Sequence, residues 1–269
     1  MVNLVAPKLI SFEGTGRRAA SVTERNIACL RSMYWVVMIS GFVEPVLYLF
    51  SIGIGVGGLI GDLRLPDGRL VGYAEFVAPA MLASAAMTGA LSETTFNFFG
   101  KMKYMRLYEG MLATPIRPME IALGELAWAM VRGVLYSAAF LIIMVVLDLT
   151  SPPRALAMLP ATVLVGFAFG AIGMATSTVV RSWQDFDLIA SAQFALFLFA
   201  GTFVPTTHYP AAVRWLIEVS PLYRSVDLTR ALSLGPVGAR QLVDVLYLLA
   251  LLAVGLTLAG RRMGRMLCK

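Results

Sequence analysis

Charge is what this chain has least of. Of its 269 residues only 14% are Asp, Glu, Lys or Arg, while 58% are hydrophobic. A soluble domain carries roughly 25% charged residues, so this composition cannot cover a surface that faces water. The apolar residues run the whole length, and a cleaved leader does not account for them. The sequence is that of an integral membrane protein. Cysteine is scarce too: Cys29 and Cys268 lie near opposite ends. Both fall in segments assigned below to the cytoplasmic side, where free thiols are expected rather than a disulfide. Histidine occurs once, as His208 in a polar turn, and one imidazole with two distant thiols offers no spacing for zinc. No GxxxxGK[ST] loop, GxSxG elbow or HExxH pair is present, which argues against ATP binding and hydrolase chemistry on this chain. The chain is then either passive or driven by something else.

Six apolar stretches reach the length of about 20 residues that a ~30 Å hydrocarbon core requires. They lie near 34–59, 71–97, 121–147, 156–180, 187–206 and 240–260. The expected fold is an all-α bundle of six transmembrane helices over 34–260, after a cytoplasmic segment 1–33 and before a basic tail 261–269. The first stretch ends in the glycine run Ser51–Gly58, where helix strength fades. Small residues recur over Ala83–Ala90 and again at Gly166, Gly170, Gly173 and Ala175. Such residues let helices approach closely in lipid, where the hydrophobic effect gives no help.

Orientation follows from Lys and Arg. With the N-terminus inside, the inner segments hold fourteen of them and the outer loops seven, with Arg132 inside a span. The excess places both termini in the cytoplasm. It also gives the formal net charge of +6 a membrane reading, basic loops beside anionic headgroups, rather than a nucleic-acid one.

Three non-spanning segments have a shape of their own. Ser21-Val-Thr-Glu24 reads as a capping box opening an amphipathic helix over 21–33, with Val22, Ile27, Leu30 and Tyr34 on one face and Arg25 and Arg31 elsewhere. It would lie along the inner interface or simply extend the first span. In the inner segment 98–120, Tyr104, Leu107, Tyr108, Met111 and Leu112 recur at helical spacing until Pro115 and Pro118 stop the helix. That face suits protein docking and an interfacial anchor equally. On the outer side Pro205 interrupts the fifth span. Residues 209–234 then read as two short helices, with Trp215 in the first and Ser220-Pro221 opening the second. Asp227 is spaced to pair with Arg224 or Arg230, and Gly235 closes the helix.

Ionisable groups within spans cost a few kcal/mol at the bilayer centre, about 2.5–3.5 on insertion scales, and so point to function. They are Glu44, Glu75, Glu93 (with Asn97 beside it), Glu125 and Arg132. Glu125 and Arg132 stand seven residues apart, two turns on one face, and can pair with each other or across helices. The alternatives are a polar lining or gate for a substrate path, and interhelical pairs that fix packing. Aromatic residues on the same path, Tyr48 and Phe50 in the first span and Phe194, Phe197 and Phe199 in the fifth, suit sugar stacking, drug contact or lipid facing.

One resemblance adds to this reading. The run Tyr108-Glu-Gly-Met-Leu-Ala-Thr-Pro-Ile116, followed by Glu120-Ile-Ala-Leu-Gly-Glu-Leu-Ala-Trp128, resembles the membrane subunits of type-2 ABC exporters. Within them it is most similar to the NodJ-like permeases that export lipooligosaccharide nodulation factors. Glu44–Leu49, Phe76-Val-Ala-Pro-Ala80 and Ser220–Leu232 agree in order, so the similarity spans about 24–235. Arg181-Ser-Trp-Gln-Asp-Phe-Asp187 departs from it in being more polar, and the outer segment lacks a distinctive carbohydrate-binding pattern.

The resemblance implies a permease that pairs with a second copy and docks a separate cytoplasmic ATPase. The partner holds ATP and Mg, and this chain binds no cofactor. It implies that the 21–33 helix is an interface helix and 101–114 a coupling helix. The ATPase would be met by Arg25, Arg31, Lys103, Tyr104, Leu107, Tyr108, Glu109, Met111 and Leu112. Glu44, Tyr48, Glu93, Asn97, Arg132, Phe194 and Phe197 are the passage or gate candidates, on a path lined by spans 1, 2 and 5. Trp215, Tyr223, Arg224, Asp227 and Arg230 would belong to outer re-entrant helices. The cargo would be an amphiphile such as a glycolipid or lipid-linked saccharide. Efflux of hydrophobic drugs by the same architecture and a membrane enzyme or scaffold without an ATPase are the alternatives.

Overall fold

The computed structural model describes residues 15–30, 43, 47, 49–65, 68–206, 209–235 and 237–267. Half of the first apolar stretch, with Glu44 and Tyr48, lies outside the described residues, as does Arg31. Among the described residues four helices are long and apolar enough to cross a membrane: Tyr73–Tyr104, Pro118–Val146, Pro152–Ser177 and Ala239–Arg265. The fifth apolar stretch forms a helix of only 14 residues, Asp185–Leu198, about 21 Å at 1.5 Å per residue. Its helix stops before Pro205, and Gly201 then takes a positive φ of 68°, so the break expected at proline falls earlier.

In chain order the elements begin with α1 (Thr15–Leu30), then a π-helical turn Ser51–Val56 running into α2 (Gly57–Ile60). A small antiparallel hairpin follows, β1 (Asp62–Arg64) on β2 (Leu70–Gly72), with Leu63 opposite Val71. Among the described residues this hairpin is the one departure from an all-α fold. The spanning helix α3 (Tyr73–Ser92) continues through π turns Glu93–Asn97 and Gly100–Tyr104. Next come α4 (Leu107–Leu112), α5 (Pro118–Val146), α6 (Pro152–Ser177) and α7 (Asp185–Leu198). The chain ends with α8 (Ala211–Val219), α9 (Pro221–Leu234) and α10 (Ala239–Leu267).

The helix starts are written in the sequence. In α5, Pro118 occupies the first turn and the Glu120 carboxylate reaches back to accept the Arg117 N–H at 2.9 Å, satisfying one of the donors that a helix start leaves free. Two starts differ from expectation. Ser21-Val-Thr-Glu24 lies inside α1, which begins at Thr15. The helix expected over 101–114 is split, because Arg106 sits in the left-handed region at φ 48°. Residues 101–104 thus belong to the end of α3, and only Leu107–Leu112 form a separate helix.

Small residues set the packing. A Cβ on Gly170 would meet Leu126 at 2.7 Å, and one on Gly166 would meet Met130 at 3.0 Å, so α5 lies directly against α6. A Cβ on Gly255 would meet the Ala171 backbone at 2.7 Å, so α10 packs directly onto α6. The Ser51–Gly58 run behaves differently: around Gly55 and Gly58 there is open space. One apolar core of Met87, Leu91, Met130, Val165, Phe169 and Leu248 occupies the middle of the bundle. A second, around Phe76, Met144 and Met158, sits at the hairpin end. A third, around Phe98, Phe99, Tyr108, Met174 and Met263, sits at the α4 end.

Candidate functional site

A cavity of about 580 Å³ opens between α3, α5 and α7. Its polarity is graded. Its charged groups lie toward the α4 end, where Glu93, Asn97, Arg132 and Gln193 stand beside Phe96; toward the hairpin end Met81, Leu82, Phe140 and Phe197 line it, with Ser84 and Ser137 between. The polar end is built by a local change of helix. Thr94 and Thr95 donate their hydroxyls to the carbonyls of Ala90 (2.7 Å) and Leu91 (2.6 Å), bonds of the kind that bend helices. Over Glu93–Asn97 the α-helix relaxes to a π turn, a form frequent at functional sites. There Glu93 accepts from Arg132 Nη1 at 2.5 Å and from Asn97 Nδ2 at 2.7 Å. Arg132 Nη2 also donates to the Tyr136 hydroxyl at 3.3 Å. The ion pair is mostly shielded but open to the cavity, with side-chain exposures of 21% and 11%.

Below the cavity, at the α4 end, a second charge cluster ties three elements together. Glu125 of α5 is buried and meets Lys101 Nζ from the end of α3 at 2.6 Å and Arg25 of α1 at 3.6 Å. Asn26 accepts from Arg25 at 2.7 Å and from Lys101 at 3.4 Å. Arg18 reaches Glu120 at 3.6 Å. Contact is close because Gly124 leaves no room: a Cβ there would lie 2.6 Å from Val22 Cβ and 2.7 Å from the Ala19 carbonyl. The Thr23 hydroxyl donates to the Gly124 carbonyl at 3.0 Å. Tyr108 is fully buried against Phe98. Burial, and next the Glu125 charge, push its phenol well above the ordinary value.

At the opposite end α9 is held by arginines. Arg230 lays its guanidinium 3.8 Å from the Phe76 ring centroid and donates to the carbonyls of Phe76 (3.3 Å), Gly201 (3.1 Å) and Thr202 (3.4 Å). Arg69 donates to the carbonyls of Leu234 (3.0 Å) and Gly235 (2.6 Å), and Arg154 to that of Ser233 (3.1 Å). These are the acceptors that a helix C-terminus leaves open. Arg224 pairs with Asp244 at 3.0 Å, and Asp227 with Arg240 at 2.9 Å.

Comparison with known proteins settles what kind of molecule carries these features. Residues 19–234 match the family described as ABC-2 type transporter. The chain belongs to that family. It is 32% identical to Nodulation protein J of Rhizobium leguminosarum bv. trifolii over 80% of each chain. It is 30% identical to Nodulation protein J of Rhizobium leguminosarum bv. viciae over 91% of this chain and 95% of that one. A more distant relative is the Inner membrane transport permease YadH of Escherichia coli, 23% identical over 69% of this chain and 72% of that one. The protein is thus a NodJ-like ABC-2 permease, a multi-pass cell-membrane protein and a transport subunit rather than an enzyme.

Within this ABC-2 fold five of the passage candidates, Glu93, Asn97, Arg132, Phe194 and Phe197, line one cavity. Among the described residues its walls come from the second, third and fifth apolar stretches, and half of the first stretch lies outside those residues. Glu125 and Arg132 do not pair; each finds an opposite charge on another element. Asp227 pairs with Arg240 rather than with Arg224 or Arg230, since those two reach Asp244 and backbone carbonyls. Tyr223 is buried and its hydroxyl accepts from Arg240 at 2.9 Å, while Trp215 is exposed.

The expected docking face is divided. Tyr104, Lys103 and Glu109 are exposed, Leu107, Met111 and Leu112 are half-buried against the third core, and Arg25 is half-buried in the charge cluster. Tyr108, expected on that face, is a core residue, because the break at Arg106 turns α4 so that this side faces Phe98. Sequence reasoning passed over Asp244, Tyr136 and Gln193. Asp244 was detectable, as an acid inside the otherwise apolar stretch 240–260.

Proposed function

We propose that this chain is the membrane subunit of an ATP-driven exporter that moves an amphiphile, a glycolipid or lipid-linked saccharide, outward. The observation that carries the reading is the graded cavity. It offers hydrogen-bonding groups and an ion pair at one end and an apolar wall at the other, which matches a molecule with a polar head and a greasy tail. The chain itself offers no nucleotide-binding motif, so ATP and Mg belong to a separate cytoplasmic ATPase. The relatives' name, Nodulation protein J, favours a lipooligosaccharide-like cargo over hydrophobic drugs.

In this reading the chain crosses six times, with 34–59 and 187–206 completing the four long helices, the latter as the helix Asp185–Leu198 continued by non-helical chain, and both termini are cytoplasmic. The α1 and α4 end is the cytoplasmic face, α1 being the interface helix, and the ATPase docks around the end of α3 and α4. The short helices α8 and α9 are outer re-entrant elements. A second copy of the chain completes the passage. Closure of the paired ATPases pushes on α4 and the end of α3, and the cluster around Glu125 passes that movement to α5. The Glu93–Arg132 pair stands on the same two helices, so a shift between them opens or closes the polar end of the cavity.

The test is to purify the tagged chain from gently solubilised membranes and to measure bound ATPase and its rate with a lipid extract or a hydrophobic drug. A one-to-one ATPase partner stimulated by the lipid extract supports the proposal, and stimulation by drug alone favours efflux. A chain without any ATPase sinks it.

A further inference from the structure

Two ion pairs join α5 to α3 and its π-helical continuation, and their spacings differ. On α5, Glu125 and Arg132 stand seven residues apart, about 20° short of two full turns at about 100° per residue. Their partners, Lys101 and Glu93, stand eight residues apart. In a regular α-helix eight residues overshoot two turns by about 80°, which would swing one partner away from α5.

The buried side of the same helix carries the same signature. Ala90, Thr94, Phe98 and Met102 are all buried, as are Met87, Leu91, Thr95 and Phe99. Each series steps by four residues, and three such steps in a regular helix drift by about 120°. Underwinding removes that drift. The Phe98 N–H reaches the Glu93 carbonyl five residues back, and a second π turn follows at Gly100–Tyr104.

Two buried hydroxyls stand where the underwinding starts. Thr94 and Thr95 donate to the carbonyls of Ala90 and Leu91, the acceptors that a regular helix gives to the N–H groups of those same two residues. The facing helix keeps a seat for one of them, since a Cβ on Gly173 of α6 would strike Thr94 Oγ1. A lone bond of this kind, from Thr176 to the Ile172 carbonyl at 2.8 Å, leaves its helix regular. At 94 and 95 two stand side by side.

We propose that Thr94 and Thr95 are positioning residues of the cargo site. Their hydroxyls fix the register of α3 in which Glu93 meets Arg132 in the cavity while Lys101 meets Glu125 below it. The cargo in this statement rests on the proposed exporter role; the register does not.

The experiment uses the full chain. Thr94→Val/Thr95→Val removes both hydroxyls at nearly constant volume, Thr94→Ser/Thr95→Ser keeps them, and Thr176→Val is the control. Thermal unfolding in detergent is followed for each chain alone and with Glu93→Gln, Arg132→Met or both. In the unmodified, serine and control chains, the combined change should regain part of the melting temperature that the single ones lose. In the valine chain it should regain none, because the pair no longer meets. If the double valine change prevents folding, Thr94→Val and Thr95→Val singly carry the same comparison. With the ATPase bound, the lipid extract needed for half-maximal stimulation should rise about tenfold in the valine chain, as for one or two lost hydrogen bonds. The maximal rate should stay, and serine should restore the response. Equal regain in the valine and unmodified chains overturns the inference, and so does a serine chain that behaves like the valine one. If the unmodified chain binds no ATPase, the exporter proposal fails, while the unfolding series still decides the register.

Discussion

Arg132 on α5 and Glu93 on α3 form an ion pair at 2.5 Å on the wall of a cavity, and Glu93 also accepts from Asn97 one turn away. Removing either member leaves the other charge shielded and unmatched. Arg132→Met and Glu93→Gln are each expected to cost about 1–3 kcal/mol and to abolish most transport. The double variant should regain part of the stability but not the transport, since paired residues show coupling of about 0.5–3 kcal/mol. Thermal unfolding in detergent and vesicle transport check this; strictly additive losses would show that the pair is not coupled.

Glycine at 124 makes a prediction with an unusual sign. At an open helical position, Gly→Ala stabilises by about 1 kcal/mol. Gly264, with nothing within 4 Å of its Cβ position, should behave that way. At Gly124 the same change drives a methyl into Val22 and the Ala19 carbonyl, and is expected to cost about 1–3 kcal/mol. Hydrogen exchange should report the loss as faster exchange across Thr15–Leu30, with Pro118–Val146 little changed.

Tyr108 is expected to act as core rather than as contact surface. Tyr108→Ala should destabilise by about 3–5 kcal/mol through the space it leaves, whereas Tyr108→Phe should cost less than about 1.5 kcal/mol. Burial holds the phenol well above its ordinary 10.0 in the folded chain. Below pH 10 both folded and unfolded forms are neutral and the stabilisation is fully present. As the pH rises above 10 the unfolded form ionises first, so stability falls toward the folded value. Tyr108→Phe should flatten that alkaline decline, which denaturation between pH 8 and 11 would reveal.

Arg230 serves as a fork, not as a point charge. Its guanidinium stacks on Phe76 while donating to three carbonyls. Lysine cannot reproduce a planar, multidentate contact. Arg230→Lys is therefore expected to lower stability by about 1–3 kcal/mol and to raise thiol labelling of a cysteine placed at Phe203. Unchanged labelling would mean that the segment after α7 is held by other contacts.

The spanning helices were legible because a run of apolar residues is a direct record of the bilayer. The cavity was legible in part, since Glu93, Asn97 and Arg132 are each anomalous in such a run. Their partners were not. Spacing left Glu125 and Arg132 to pair with each other or across helices, and the second holds, with Lys101 and Glu93 on a different helix; one helix's period carries no information about its neighbour's rotation, so it could not name them. The docking face misled for a related reason: Tyr104 and Tyr108 share a period, yet the positive φ at Arg106 turns one outward and the other inward. Arginine has no particular claim to such a conformation, so nothing local announced the turn. The three-residue strands of the hairpin are too short for any period, although Pro66-Asp67-Gly68 is a turn signal. The fifth span was overdrawn because hydropathy continues past Leu198 while the helix does not.

The arginines at the α9 end bear on how such a chain is oriented. A tally of basic residues by loop treats each one as equally free to resist crossing the membrane. Here Arg69, Arg154 and Arg230 are bound to carbonyls, and Arg214, Arg224 and Arg240 to carboxylates. In the proposed orientation six of the seven outer basic residues are thus reserved by the finished fold. For a translocating chain the count reads two to one, but for the folded protein the contrast is steeper. In the proposed orientation the arginines on carboxylates are neutralised and those on carbonyls keep their charge but not their free donors, so this face offers a passing molecule fewer guanidinium contacts than its sequence suggests.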